Sequence, residues 1–335
     1  MRRAALAARI EAFIVAALGE NPLPESFETL AIDVHSWQSE RCRVARRLSP
    51  AQPPRRVEDL PAVPVALFRD LNIGAIPDDE VGALFRTSGT TGARRGVHRL
   101  RDTALYDRGA LGWASAYLGS APGDIVALLT DPTVTPDSSL SHMVADFVHF
   151  GKPARTTWHL VDGQLHIDSL TRRMHATRGP VFLAATSFSL DAWLAAEPLP
   201  LPEGSVVMVT GGFKGRTRRL SDEDLFGATR RVLAPARIVT EYGMTELSSQ
   251  LWGDPGGAYH PPPWLRAVAA DPFSGQPCEP GVSGQLRFYD LCNLDSAVGI
   301  ETMDEGVVRE DGSVLLSGRL SGAPPRGCSL TVRGS

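Results

Sequence analysis

The chain of 335 residues contains almost no lysine. Its 34 basic residues are all arginine except Lys152 and Lys214, so any lysine chemistry has to use one of these two positions. Basic charge is not in excess either. The formal net charge of −4 leaves no broad basic surface for phosphate-driven binding, which argues against nucleic acid as a partner. Apolar residues make up 43% of the chain and charged residues 21%, a balance that excludes disordered, collagen-like and coiled-coil proteins and fits one composite globular unit.

Cysteine and long apolar runs are scarce as well. The four cysteines share no C-x-x-C spacing and are Cys42, Cys278, Cys292 and Cys328. This scatter argues against a zinc knuckle, an iron–sulfur cluster or a disulfide framework, and it is typical of a reducing cytoplasm. No window reaches the roughly 18 apolar residues of a membrane span. Arg9 and Glu11 interrupt the N-terminal apolar run before it reaches the length of a secretion signal, so we expect a cytoplasmic protein.

The order of sequence patterns divides the chain into three parts. Residues 1–80 hold an N-terminal helix that stops at Gly19, followed by a proline-rich segment that we expect to wrap over the rest in extended or turn conformations. In residues 81–275 apolar strand patterns alternate with helical ones, which is typical of an α/β core with a mostly parallel sheet flanked by helices. The strand patterns are VGALF, DIVALLT, GPVFLAA, SVVMVTGG and ARIVTEYG, and the helical patterns lie near 102–118, 140–150 and 190–196 and from Ser221 onward. Residues 276–335 predict a small β-rich subdomain with a tail that contains Cys328.

A segment rich in glycine and hydroxyl groups follows the first of these strands. It has the sequence TSGTTGARRG and comprises Thr87, Ser88, Gly89, Thr90, Thr91, Gly92, Ala93, Arg94, Arg95 and Gly96. Its glycines allow backbone N–H groups to turn toward a ligand, and its hydroxyls and arginines add donors and charge, so the segment is suited to holding phosphates. It lacks the G-x-x-x-x-G-K-[ST] pattern of a P-loop. A flexible connector is the alternative interpretation.

A second polar segment follows the apolar strand RIVT. It has the sequence EYGMTE and comprises Glu241, Tyr242, Gly243, Met244, Thr245 and Glu246. Ligands of open α/β sheets bind beyond the carboxyl ends of the strands, which is where this segment lies. Tyr242 can stack on a base, Thr245 can donate to a phosphate, and Glu246 can hold Mg²⁺ as a hard oxygen ligand. The alternative is an ordinary strand-to-loop junction with a surface carboxylate.

Together, in this order and about 150 residues apart, the two segments resemble the adenylate-forming superfamily of acyl-CoA synthetases, peptide-synthetase adenylation domains and firefly luciferase. The resemblance implies that family's fold and its use of ATP and Mg²⁺ to activate a carboxylic acid. It also implies that residues 88–92 handle the β- and γ-phosphates of ATP. By the same resemblance, Tyr242 stacks on adenine, Thr245 meets the α-phosphate and Glu246 binds Mg²⁺.

Further positions match the same family. Gly211 and Gly212 resemble the glycine stretch along which adenine lies. The run TMD that ends at Asp304 resembles the family's T-G-D, with methionine in place of glycine, and the run GR that ends at Arg319 resembles the G-R that closes the large domain. The resemblance implies that Asp304 and Arg319 contact the ribose. It also places His142 beside the substrate carboxylate, for which an ordinary core or surface histidine is the alternative.

Two features depart from the family pattern. Members of the family continue beyond the G-R with a separate domain whose lysine bridges the carboxylate and the α-phosphate, whereas 16 residues without lysine follow Arg319 here. We therefore expect this mobile lysine-bearing domain to be absent. Arg95 replaces the lysine of the family's P-K-G and keeps the charge as a planar fork. His142, Arg95 or Lys214 is then left to assist the first step, unless a partner supplies the missing group.

The compact length, together with the phrases GGFKG, EYGMTELSSQ and RGCSL, resembles the acyl-protein synthetases of bacterial luminescence, the LuxE type, over residues 80–330. That family has a cysteine near its C-terminus that receives the acyl group, and Cys328 occupies the corresponding place. A thiolate is the best side-chain nucleophile toward an acyl-adenylate at neutral pH. A buried tail cysteine is the alternative.

The resemblance implies a ligase that activates a fatty or related acid, transfers the acyl group to Cys328 and delivers it to a partner such as an acyl reductase or a carrier protein. Two alternatives stay open. In one, CoA or a carrier protein accepts the acyl group and Cys328 is incidental. In the other, the chain is a non-catalytic adenylate-binding scaffold subunit.

Overall fold

Helices and strands alternate along most of the chain in the computed structural model, which describes residues 2–88, 94–119, 123–149, 155–211 and 221–320. The helices are α1 (Arg3–Leu18), α2 (Phe27–Arg41), α3 (Arg43–Leu48), α4 (Leu67–Asp70), α5 (Ala104–Leu118), α6 (Ser139–Asp146), α7 (Ile167–Ala176), α8 (Ser187–Leu194) and α9 (Asp222–Leu233). The strands are β1 (Val63–Pro64), β2 (Ala83–Arg86), β3 (Val97–Leu100), β4 (Asp124–Leu128), β5 (Thr156–Trp158), β6 (Leu160–Val161), β7 (Gln164–Leu165), β8 (Val181–Thr186), β9 (Val206–Thr210), β10 (Arg237–Tyr242), β11 (Leu251–Gly253), β12 (Tyr259–His260), β13 (Leu265–Ala270), β14 (Ser283–Asp290), β15 (Gly299–Val308) and β16 (Val314–Arg319).

The elements of the central part form where their patterns predict them. The five apolar runs become β2, β4, β8, β9 and β10, and the helical patterns become α5, α6, α8 and α9. Local signals fix the helix starts. The Ser221 side chain accepts the N–H of Asp224, and the Asp224 carboxylate accepts the N–H of Ser221, which is the capping box at the start of α9.

The N-terminal part is more helical than its proline content predicts. Residues 20–80 were expected to be extended or turned, but α2 and α3 occupy much of the first half of this range. The reason is that residues 25–49 contain no proline. Ser26 caps α2 through the N–H of Thr29, so nothing opposes helix formation there.

One half of the main sheet is parallel. It runs in the order β5-β4-β8-β9-β10, and each neighbouring pair is parallel. The four inner strands β4, β8, β9 and β10 are buried on both faces, which explains their largely apolar sequences. Within β4, Ile125 and Ala127 pack on one face with α5 and α6, whereas Val126 and Leu128 pack on the other with α7, α8 and α9.

The other half of the sheet is antiparallel and continues directly from β10. It runs in the order β10-β11-β12-β16-β15-β14-β13. The α/β prediction is confirmed, with a large central sheet flanked by helices, and this sheet is mixed because the predicted C-terminal strands join it at the edge of the parallel half. The domain boundaries at 80 and 275 stay predictions.

A single apolar core connects the N-terminal helices to the antiparallel half. Its buried members include Ile10 of α1, Trp37 of α2, Trp264, and Phe288 of β14. Strand β1 also adds to this half by pairing parallel with β15. Among the described residues, no helix has the length and apolar character needed to cross a membrane.

Candidate functional site

The first motif connects the two strands of a hairpin, because β2 and β3 pair antiparallel on either side of it. The ends of the connection are held together. Thr87 N–H donates to the Gly96 carbonyl at 3.0 Å, and Gly96 N–H donates to the Thr87 hydroxyl at 2.8 Å. The motif is therefore a loop with a fixed neck. Gly89, Thr90, Thr91 and Gly92 lie outside the described residues.

Arg95 fastens the neck of this loop. Its guanidinium donates to the carbonyls of Thr87 and Arg86, and to the Asp137 carboxylate at 2.8 Å. Asp137 also accepts the N–H of Arg86 at its backbone carbonyl. A planar fork can bind three acceptors at once in this way, which a lysine ammonium cannot do with the same geometry.

The second motif begins inside the sheet and ends in a turn. Tyr242, the last residue of β10, is buried, and its hydroxyl donates to the Asp304 carboxylate on β15 at 2.8 Å. Asp304 pairs with Arg319 on the neighbouring strand β16, with 3.0 Å between Oδ1 and Nε. Three residues predicted to contact the nucleoside are thus brought together from three strands.

Gly243 lies so close to the Glu241 side chain that any larger residue would force that side chain to move. A Cβ atom on Gly243 would lie 2.3 Å from the Oε1 of Glu241, a contact that real Cβ atoms do not make. The Glu241 carboxylate is itself buried and accepts a hydrogen bond from the Thr210 hydroxyl at the end of β9. Met244 packs partly buried against the core.

The two motifs meet at Glu246. A Cβ atom on Gly96 would lie 3.3 Å from the Oε1 of Glu246 and 3.1 Å from the Cγ2 of Thr87. The Glu246 side chain is buried, and burial raises the pKa of its carboxyl to about 7, against weaker opposing effects of its own backbone N–H and of Arg69. Within the described part of the chain, no cationic side chain lies within 4.0 Å of this carboxylate. A buried carboxylate without an ion-pair partner fits a divalent cation, so Glu246 is the residue that would hold Mg²⁺.

Two cavities adjoin the second motif. Cavity A has a volume of about 220 Å³ and is lined by Gly211, Glu241, Tyr259 and Arg319 among others. Cavity B has a volume of about 290 Å³ and is lined by residues that include Ser88, Arg95, Leu140, Thr186 and Thr245. Predicted nucleoside contacts therefore line cavity A, and predicted phosphate contacts line cavity B.

His142 lies on α6 but does not line either cavity. Its Nε2 is 2.6 Å from the Asp107 carboxylate on α5, and its ring packs against Phe85 and Tyr106. Its neighbours Leu140 and Ser141 do line cavity B. The structure thus directs His142 toward α5, and its predicted role beside the substrate carboxylate stays a prediction.

The remaining predicted residues differ in how far they can be described. Gly212, Lys214 and Cys328 lie outside the described residues. Of the other cysteines, Cys42 and Cys292 are buried, and burial raises the pKa of the partly exposed Cys278 thiol. Burial of Cys42 and Cys292 and the raised pKa of Cys278 are unlike the exposed, electropositive surroundings of a reactive thiol.

Sequence patterns did not identify a buried polar network behind the second motif. Asp290 accepts the N–H groups of Ser248 and Ser249, Asn293 donates to the Glu246 carbonyl, and His98 contacts the Thr245 carbonyl. A signal was present in the run DLCNLDSAV, where polar residues interrupt an apolar stretch between two strands. It was not enough to show which backbone groups they bind.

Comparisons with known proteins find relatives of this chain in sequence and in fold. No family model matches the chain. The long-chain-fatty-acid–luciferin-component ligase of Vibrio harveyi is 22% identical over 302 residues, which cover 82% of this chain and 78% of that protein. The protein of the same name from Aliivibrio fischeri is 21% identical with the same coverage.

Solved structures show the fold. The 2-hydroxyisobutyryl-CoA ligase in its postadenylation state, in complex with 2-HIB-AMP, superposes with a TM-score of 0.68 at 13% identity, covering 87% of this chain and 67% of that one. ATP-bound MatB from Rhodopseudomonas palustris superposes with a TM-score of 0.52 at 17% identity over 73% of this chain. The chain spans about half of the MatB structure, 49% of its length. The resemblance carried by the motifs is thus confirmed, because the chain is similar in sequence to LuxE-type acyl-protein synthetases and has the fold of the adenylate-forming acyl-CoA ligases.

Proposed function

We propose that this chain activates a carboxylic acid with ATP to form an acyl-adenylate, and then transfers the acyl group to the thiol of Cys328 for delivery to a partner. The observation that carries the proposal is the contact of Gly96 with Glu246. It brings Gly96, at the end of the glycine-rich segment, next to a buried carboxylate that lacks a cationic partner among the described residues. The similarity to luciferin-component ligases supports the same chemistry.

The first step forms one bond and breaks another at the α-phosphate. An oxygen of the acid's carboxylate attacks the α-phosphorus, the bond to the β-phosphate breaks, and pyrophosphate leaves. In this step Ser88 and the loop that follows it hold the β- and γ-phosphates, Thr245 donates to the α-phosphate, and Glu246 holds the cation. Mg²⁺, when bound, supplies charge neutralisation at the phosphates. Asp304 and Arg319 hold the ribose beside cavity A.

The second step breaks the mixed anhydride. A thiolate attacks the acyl carbon, AMP leaves with the electron pair of the C–O bond, and a thioester remains. Cys328 is the acceptor that we propose, since the other three cysteines are buried or have no lowered pKa. Of the three residues predicted to assist the first step, Arg95 and His142 already bind acceptors within the protein, which makes Lys214 the first residue to test.

Acid-dependent exchange of pyrophosphate into ATP tests the first step. A panel from short hydroxy acids to long-chain fatty acids identifies the acid, because the hydroxyls and leucines that line cavity B suit both polar and apolar groups. We expect exchange with at least one acid, and a loss of about 100-fold or more in Glu246→Gln, by analogy with removal of a group that stabilises transition-state charge. Glu279→Gln, a change at an exposed glutamate, is the control. If no carboxylate supports exchange, the chain is a scaffold and not an enzyme.

The fate of the acyl group tests the second step. With a radiolabelled acid, Cys328→Ser is expected to keep pyrophosphate exchange and to lose the protein-bound label, whereas Cys278→Ser keeps both. CoA is added in a parallel reaction. A label that appears on CoA at the same rate in the wild-type chain and in Cys328→Ser would favour a CoA ligase and rule out transfer through Cys328.

A further inference from the structure

Two buried side chains hold the backbone of the second motif on its concealed side. The Thr245 carbonyl lies 2.8 Å from the Nδ1 of His98, and the Glu246 carbonyl accepts a hydrogen bond of 2.9 Å from the Nδ2 of Asn293. The carbonyls of two consecutive residues are thus held in place. These residues are Thr245, proposed to contact the α-phosphate, and Glu246, proposed to hold the cation. These two peptide planes flank the Cα atom of Glu246, so the direction in which the Glu246 side chain leaves the backbone is set as well.

The chemistry of the contacts defines the tautomer of His98. A carbonyl oxygen can only accept, so Nδ1 carries the proton and donates to Thr245, and Nε2 accepts from the Ser296 hydroxyl at 2.8 Å. The ring is fully buried, and burial lowers the pKa of His98 to about 4 against the weaker effects of the Thr245 carbonyl and of Asp295. His98 is therefore neutral at physiological pH, and both of its ring nitrogens are used.

His98 differs from the other supports of this turn in where it comes from. Asp290, the last residue of β14, and Asn293, on the turn that follows, hold the backbone of Glu246, Ser248 and Ser249. His98 instead lies on β3, two residues after Gly96, which itself packs against Glu246. Its hydrogen bond thus ties the strand that leaves the glycine-rich loop to the turn that carries Thr245. Without this hydrogen bond, a movement of β3 would change its distance from the turn that carries Thr245.

We infer that His98 is a positioning residue for nucleotide binding, which acts by holding the Thr245 carbonyl at a fixed distance from Gly96 at the neck of the glycine-rich loop. The inference rests on the proposed function, since it concerns how the ATP contacts are arranged. Loss of the Nδ1 hydrogen bond would let the Thr245–Glu246 turn move relative to the loop. The two motifs would then no longer contact the phosphates at the same time. In sites that act by positioning, small displacements of this kind greatly reduce binding or activity.

Two substitutions separate the two hydrogen bonds of His98. In His98→Asn the side-chain amide nitrogen stands at the position of Nδ1, so the bond to Thr245 is kept and the bond to Ser296 is lost. In His98→Gln the amide stands at the position of Nε2, so the bond to Ser296 is kept and the bond to Thr245 is lost. His35→Gln is the control, because His35 is another buried histidine, on α2, with its Nε2 3.2 Å from the Ser49 hydroxyl.

The measurement is the dissociation constant of ATP in the presence of Mg²⁺, obtained by calorimetry without any acid, together with the melting temperature of each variant. We expect His98→Asn and His35→Gln to bind ATP within about threefold of the wild-type chain. We expect His98→Gln to bind about tenfold more weakly, in line with the loss caused by removing a group that orients a ligand-binding residue.

The outcomes are separable. Equal ATP affinity in His98→Asn and His98→Gln would overturn the inference, and so would a fall in melting temperature shared by all three variants with no change in ATP binding, which assigns His98 a structural role alone. Failure of the wild-type chain to bind ATP would instead refute the proposed function before any variant is compared.

Discussion

At the scale of single residues, Arg95 stands where the family pattern has a lysine, and its side chain holds the neck of the glycine-rich loop together. Each of its three guanidinium nitrogens donates a hydrogen bond at the neck of the loop, to the Thr87 carbonyl, the Asp137 carboxylate and the Arg86 carbonyl. A lysine at the same position has one ammonium and no planar fork. The Arg95 side chain therefore supports the loop, and a lysine at this position would keep the charge without providing the same support.

Arg95→Lys, which restores the residue of the family pattern, is expected to impair the chain. Losing charge-assisted hydrogen bonds to backbone carbonyls should lower kcat/KM for ATP about tenfold, equivalent to about 1.4 kcal/mol. Pyrophosphate exchange measures the effect. Arg94→Lys is the matched control, because the Arg94 side chain is exposed and only approaches Asp70 at 4.0 Å. Exchange as fast in Arg95→Lys as in Arg94→Lys would show that the fork is dispensable.

The lowered pKa of His98 makes stability depend on pH. A base whose pKa falls from 6.5 when unfolded to about 4 when folded binds fewer protons in the native state, so stability present above pH 6.5 is lost as the pH falls toward 4. This group should remove about 2 kcal/mol between pH 7 and pH 5. The free energy of unfolding, measured with urea at both pH values, should fall by about 2 kcal/mol less in His98→Asn than in the wild-type chain. The contributions of other titrating groups cancel in this comparison, because both proteins contain them. Identical falls would contradict the shift.

At the scale of elements, α2 is anchored to the turn that supports the site. The fully buried Gln38 donates from Nε2 to the carbonyls of Asn293 and Leu294 and accepts the N–H of Val298. An N-terminal helix thereby holds the ends of the same turn whose Asn293 holds Glu246. The segment that was expected to wrap over the protein contributes directly to the architecture of the site.

Gln38→Leu tests this anchor. The leucine leaves the Leu294 carbonyl and the Val298 N–H without partners and removes one of the two hydrogen bonds to the Asn293 carbonyl, so we expect a loss of about 3 kcal/mol in the free energy of unfolding. Urea denaturation gives the value, and Gln52→Leu, at an exposed glutamine, serves as the control. A loss below about 1 kcal/mol would mean that the turn finds other partners.

At the scale of the whole molecule, the N-terminal helices and the antiparallel half of the sheet form one core. Leu6, Ile10, Phe13 and Ile14 of α1 are buried in the same cluster as Trp264 and Phe288. The bidentate pair of Arg3 with Asp295 adds a polar link between the start of α1 and the turn behind the site. A destabilising substitution in α1 should therefore lower the stability of the whole antiparallel half of the sheet.

Ile10→Ala should destabilise the chain by about 2–5 kcal/mol, the usual cost of emptying a packed position. Because the core is shared, hydrogen exchange should accelerate in β13, β14 and β15 as well as in α1. Val15→Ala, at an exposed position on the same helix, should change little. Faster exchange confined to α1 would instead show that the N-terminal part unfolds on its own.

Sequence patterns did not predict α7, but they predicted five strands and four helices of the central part and the chemistry proposed for the two motifs. These features are local. A continuous apolar run forms a buried strand, the Ser221–Asp224 capping box starts a helix, and the residue types of the segments at 87–96 and 241–246 suit phosphates and a cation whatever surrounds them. The helices at 27–48 escaped prediction because the prolines on either side dominated the pattern.

Only the tertiary structure decided how these parts act together. The hydrogen bond between His98 and Thr245 joins residues 147 positions apart, and that between Gln38 and Asn293 joins residues 255 positions apart. Such contacts depend on which strands become neighbours and on which polar groups must find partners when they are buried, since an unpaired buried group is costly. Sequence patterning therefore determined which residue types stand in the two motifs, and with them the chemistry that we propose. Packing determined that Gly96 lies against Glu246, that Arg95 supports the loop, and that a neutral histidine holds the turn between the two motifs.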